Sequence, residues 1–189
     1  MDLYHIALFL HLVALVVAAG ATAVTKLAAA RRARARTVGE ALDWHDVLMS
    51  TSKLFPMCLA AFVLTGAYMM SVAGVRIWST AFVLAGLVGA VLLLASGVFL
   101  STKGKALKQV LETIAKNGID LPAPKLVPPA LVAALPVINT GIAIAVVFDM
   151  VTKPASVPLA LGVIAFGIAI GGAAGLRQRA PAARQVGVA

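Results

Sequence analysis

Apolar residues gather into five long runs separated by short polar segments, at about residues 3–27, 54–72, 80–101, 129–151 and 158–176. A helix of about 20 mainly apolar residues spans the ~30 Å hydrocarbon core of a bilayer. The pattern therefore predicts an all-α polytopic membrane protein with five transmembrane helices, residues 1–189 forming a single transmembrane domain. Two polar segments also carry helical spacing. Val38–Lys53 mixes acids, Trp44 and apolar residues, and is expected to form a short helix along the membrane surface. Leu107, Val110, Leu111 and Ile114 recur at helical spacing among Lys105, Lys108, Glu112 and Lys116. Asn117-Gly118 then supplies a stop, so this segment reads as a separate amphipathic interfacial helix. Prolines at 122, 124, 128 and 129 predict an extended lead into the fourth span.

Charge orients the array. Lys26, Arg31, Arg32, Arg34, Arg36 and Lys53 lie around the first polar segment. Lys103, Lys105, Lys108, Lys116 and Lys125 follow the third span, and Arg177, Arg179 and Arg184 follow the fifth. The two intervening loops hold only Arg76 and Lys153. Fourteen of the 16 positive residues thus fall on one side. Lys and Arg favour the cytoplasmic side, which predicts N-out, C-in topology with the amphipathic helices inside. The chain is then a multi-pass protein of the bacterial cytoplasmic (inner) membrane, facing an anionic leaflet. Tyr4, Trp44 and Trp78 fall at the expected interfaces. Alanines 19, 21 and 23 imitate a signal-peptidase site, but Asp2 and the lack of Lys or Arg ahead of the first run argue for a retained helix.

Composition agrees, with 61% hydrophobic and 12% charged residues, against about a quarter charged in soluble domains. The net charge of +9 is absorbed by the inside loops, so no nucleic acid is expected. Cys58, the single cysteine, lies in an apolar run and reads as a small hydrophobe.

Candidate chemistry is sparse. His11 lies roughly 12 Å into the first span, where a neutral imidazole can ligate haem or copper or hydrogen-bond a neighbouring helix. His5, six residues away, is about 9 Å along the axis and about 120° around it, so the two cannot share one metal. Asp149 and Lys153 have the spacing of an i,i+4 pair at the end of the fourth span. Pro136 interrupts that span, because it cannot donate to the carbonyl of Val132. Asn139, Thr140 and Gly141 follow, either to satisfy the freed backbone or to line a pocket, with Thr65 and Tyr68 of the second span as possible further walls. Gly167, Gly171 and Gly175 repeat a small-xxx-small pattern. That flat face suits packing inside the bundle, or contact with a second copy or a partner membrane subunit. No nucleotide-binding loop, Cys/His cluster or Ser-His-Asp set is present in the sequence, so no enzymatic activity is expected.

The His11-Leu12 opening and the segment KLFPMCLAAFVLTGAYMM (residues 53–70) resemble small bacterial inner-membrane proteins related to the copper-resistance D family. Trp78 and the MVTKP at 150–154 look closer to related integral membrane proteins of unknown function. The resemblance implies copper or haem handling through His11. The glycine and tryptophan that usually follow this histidine in the copper-resistance relatives are replaced here by Ala14, Ala18 and Ala19. Three readings follow: a non-enzymatic binding or accessory component of the inner membrane, a haem- or copper-binding protein, and a small-molecule permease with a site near Pro136–Gly141. The lack of a carboxylate or lysine at a span midplane argues against ion-coupled transport.

Overall fold

A computed structural model of the chain describes residues 2–75, 80–123 and 128–186, with side chains described as far as residue 177. Arg76, Trp78, Pro124 and Lys125 lie outside the described residues. The regular structure is helical: α1 (Leu3–Ala33), α2 (Val38–Ser52), α3 (Leu54–Val72), α4 (Ala81–Ala115), α5 (Ala130–Thr152) and α6 (Val157–Val186). Five helical stretches among the described residues are long and apolar enough to cross a membrane, with α2 and α3 counted as one. The distribution of side chains fits that setting. The buried apolar residues are mostly alanines, whereas Val16, Leu64, Val151 and Phe166 are each more than 60% exposed. A protein folded in water hides large apolar groups; here they are turned outward, as a lipid solvent permits.

The chain divides into two compact units: residues 1–74 with 101–125, and residues 75–100 with 126–189. In the first, α1 packs on α2 and α3. Its buried residues are Ala7, Ala14, Ala21 and Ala28, one every seven positions. That spacing keeps one seam of small side chains along α1 and lets neighbouring backbones approach. The start of α2 is secured by Thr37, whose hydroxyl accepts from the Glu40 amide, while Glu40 Oε2 accepts from the Arg36 amide. This is a near-reciprocal capping box. The segment after α4 returns to the same place. Val38 and Gly39 amides donate to the carbonyls of Leu121 and Ile119, the Ala123 amide donates to Arg36, and Thr37 bridges Pro122.

In the second unit α5 and α6 lie against each other along backbone-to-backbone contacts. A Cβ added to Gly171 would stand 2.7 Å from Ile138 Cα, and one on Gly175 2.7 Å from Ala134 Cα. Gly141 and Gly167 face each other so closely that a Cβ on either would strike the other's carbonyl. The three-glycine face of α6 is therefore occupied by α5 of the same chain. The first half of α4 joins through a cluster of Ala81, Ala85, Ala145, Ala160 and Ile164.

Two expectations change. The amphipathic segment at 105–116 is not a separate helix: α4 runs unbroken from Ala81 to Ala115. Thirty-five residues extend about 52 Å, well beyond the ~30 Å core. Lys103, Gly104 and Lys105 are tolerated because a helix leaving the hydrocarbon can continue through polar residues. The stop itself falls where the spacing put it, with Gly118 at φ +142°, a conformation open to glycine. The second change concerns Asp149, treated below.

Bulky groups on the two glycine faces of α6 should separate sharply. Gly171→Leu should lower the thermal midpoint of the detergent-solubilised protein, at a cost of about 1–3 kcal/mol or more. Gly162→Leu, where a Cβ meets nothing within 4 Å, should leave it nearly unchanged. Equal effects would contradict the α5–α6 contact.

Candidate functional site

Several polar groups of the first unit meet where α1, α2 and the extension of α4 come together. His45 is fully buried there. An Arg32 guanidinium nitrogen lies 2.8 Å from His45 Nδ1, and His45 Nε2 lies 3.0 Å from the Gly104 carbonyl oxygen. Arginine can only donate and a carbonyl can only accept. The ring is therefore neutral, with its proton on Nε2: it accepts from Arg32 and donates to Gly104. Three chain segments are tied by one imidazole. Gly104 also leaves room for Met49 of α2, whose Sδ would stand 2.7 Å from a Cβ there. Around this centre Lys108 pairs with Asp46 at 2.7 Å, and the Arg31 guanidinium stands 5.9 Å from the Trp44 ring centroid, a cation–π distance. Burial first, and then the Arg32 charge, hold His45 below the ordinary imidazole range. His45 belongs to the Val38–Lys53 segment expected on the inner side, and its role is not visible in the sequence because its partners lie 13 and 59 positions away.

His11 lies on the same unit, on the seam of α1. Its Nδ1 is 2.8 Å from Thr65 Oγ1, and its ring packs edge-on against Phe62 at 4.8 Å. The Thr65 hydroxyl has one hydrogen and donates it to the Ala61 carbonyl at 2.6 Å. Toward His11 it must accept, so Nδ1 carries the proton and Nε2 keeps its lone pair. No group of three or more His, Cys, Asp or Glu side chains gathers into a metal-binding cluster among the described residues. Thr65 and Tyr68 also line an open groove of about 270 Å³ with Leu3, Ile6, Ala7, Leu10 and Leu64.

Asn139 and Thr140 belong to the second unit. The Ser96 hydroxyl is 2.8 Å from Asn139 Oδ1, joining α4 to α5. Thr140 Oγ1 donates to the Pro136 carbonyl at 2.9 Å. Both polar groups are engaged in helix-to-helix or helix-internal bonds. Asp149 departs from expectation: it does not pair with Lys153. Its side chain is fully buried, and neither carboxylate oxygen has a hydrogen-bond partner. Lys153 is the residue that ends α5, in the left-handed region at φ 48°. Its side chain no longer follows the helical i,i+4 direction.

No family model, curated protein or solved structure matches this chain.

The His45 centre makes a prediction about pH. The imidazole is neutral when folded and ordinary when unfolded, so the unfolded chain binds more protons at mildly acid pH. The contribution is complete above about pH 6.5 and is lost as pH falls below it. Thermal midpoints in detergent should drop on acidification in the wild type and drop less in His45→Gln. At neutral pH, His45→Ala should cost about 1–3 kcal/mol by stranding buried partners, and Asp46→Asn about 0–1 kcal/mol, its pair being exposed. A midpoint independent of pH in both proteins would contradict the assignment.

Proposed function

We propose that this chain is a non-enzymatic component of the bacterial cytoplasmic membrane. Its N-terminus lies outside, and the layer built by α2 and the ends of α1 and α4 lies inside, against anionic lipid. The observation that carries this reading is the convergence of charge and geometry at one end of the first unit. Arg31, Arg32, Lys108, Trp44 and His45 meet there, at the segments where the sequence concentrates its Lys and Arg. Arg32 is tied to His45, whereas Arg34, Arg36 and Lys105 border the same layer and are the residues proposed to meet phosphate head groups. Each such residue near an anionic surface contributes about 1 kcal/mol. The layer acts as a docking base, holding the protein in register with the leaflet and with a membrane partner it binds or assists.

A second reading has a specific observation in its favour. The proton on His11 Nδ1 is held by Thr65, and this arrangement leaves Nε2 as the free donor atom. Metal-ligating histidines are commonly oriented in that way. One ligand is a partial site, so this reading takes haem or copper held by His11 together with a ligand from outside the described residues or from another chain.

Added phosphatidylglycerol should raise the thermal midpoint of the delipidated protein in detergent more than phosphatidylcholine does. The difference should shrink with salt and in the variant Arg34→Gln/Arg36→Gln/Lys105→Gln. Equal stabilisation by the two lipids would remove the docking-base reading. The His11 reading is checked on the same preparation by visible spectra, oxidised and reduced, with metal analysis. A Soret band or bound copper that disappears in His11→Ala supports it, and a colourless, metal-free wild type counts against it.

A further inference from the structure

Both buried side-chain oxygens that lack a hydrogen-bond partner among the described residues belong to Asp149. The side chain has no exposed surface and sits on a helix whose other residues from Ala130 to Thr152 carry no charge. One turn earlier, Ala145 belongs to the aliphatic cluster with Ala81, Ala85, Ala160 and Ile164. The next residue, Met150, packs on α4, its Cε 3.7 Å from where a Cβ on Gly86 would stand. Asp149 thus lies at the end of the second unit where α4 and α6 begin. Neither helix offers it a counter-ion: residues 81–100 of α4 and 157–176 of α6 contain no Lys, Arg, His, Asp or Glu. Lys153, the residue that caps α5, forms no ion pair among the described residues. Amides in the first turns of α4 and α6 would favour an anion, but none lies within hydrogen-bonding reach of either oxygen.

We infer that the Asp149 carboxyl is a proton-binding site of the second unit. A carboxylate buried with no hydrogen-bond partner and no counter-ion among the described residues is disfavoured as a bare anion and takes up a cation. An alkali ion would need several oxygen ligands around it, and the cluster beside Asp149 is made of methyl groups. A proton needs only the carboxyl group itself. Releasing it creates a charge that the closed packing cannot solvate. The site is separate from the basic layer and from His11, both in the first unit, and does not depend on either reading of function. Ionisable residues kept within membrane helices usually serve such roles.

The test uses dicyclohexylcarbodiimide, an apolar reagent that adds a protonated carboxyl across its C=N bond, giving an acylisourea that rearranges to a stable acylurea. The full-length protein, reconstituted in neutral lipid vesicles, is treated across a pH series and digested for mass spectrometry. Asp149 should be the labelled acid, in preference to Glu40, Asp43, Asp46 and Glu112. Its labelling should fall about tenfold per pH unit once the site begins to empty. The variant Asp149→Asn should lose the label, and the wild-type pH series stands alone if that variant does not fold. Failure of Asp149 to react at any pH would overturn the inference. So would labelling suppressed by sodium but not by choline at constant pH, which would make the occupant an alkali ion.

Discussion

Lipid removes the force that ordinarily drives helices together. Apolar side chains gain little by leaving hydrocarbon for one another, so helices in a membrane associate where backbones can touch and where polar groups find partners. The two units of this chain use one device each. In the second, Gly141, Gly167, Gly171 and Gly175 bring α5 and α6 to backbone contact, and large side chains such as Phe166 and Ile144 are turned outward. In the first, an alanine every seven residues opens α1 to its neighbours. Hydrogen bonds between distant segments then fix the register: His11 to Thr65 on the apolar side, and Arg32 to His45 to Gly104 at the charged end. Both of these depend on a histidine whose proton position is set by its partners.

The parts of the fold governed by local chemistry were legible in the sequence. Twenty or so apolar residues in a row have few alternatives to a spanning helix, and the glycine triad in the last helix marked the face that α5 covers. Asn117-Gly118 marked the end of α4 because few residues other than glycine adopt a φ of +142°. The seven-residue alanine spacing of α1 was equally present in the sequence but is hidden among so many other alanines that only the packing reveals it. What escaped depends on residues far apart or on one backbone torsion. Lys103-Gly104-Lys105 resembles a break between two helices, yet α4 continues through it, and the Gly104 carbonyl is the one that His45 of α2 reaches. Asp149 and Lys153 have the spacing of a salt bridge, but the left-handed turn at Lys153 ends the helix between them. Asn139 and Thr140 were equally compatible with a pocket or with backbone satisfaction, and the bonds to Ser96 and Pro136 engage both.

The arrangement concentrates fixed charge in one unit and a single enclosed acid in the other. Arginines and lysines surround a buried neutral histidine in the first, where the layer they form has the length and charge to reach beyond the hydrocarbon. The helices of the second carry no charge before Arg177 other than that of Asp149, whose side chain is buried.

The proposed orientation turns on which side of the membrane holds the His45 layer. Single cysteines introduced by Arg34→Cys and by Lys153→Cys, each in a Cys58→Ser background, would report it through a membrane-impermeant maleimide applied to spheroplasts. The account predicts that Lys153→Cys is labelled on intact spheroplasts and Arg34→Cys only after permeabilisation. Labelling of Arg34→Cys from outside, with Lys153→Cys protected until permeabilisation, would contradict it.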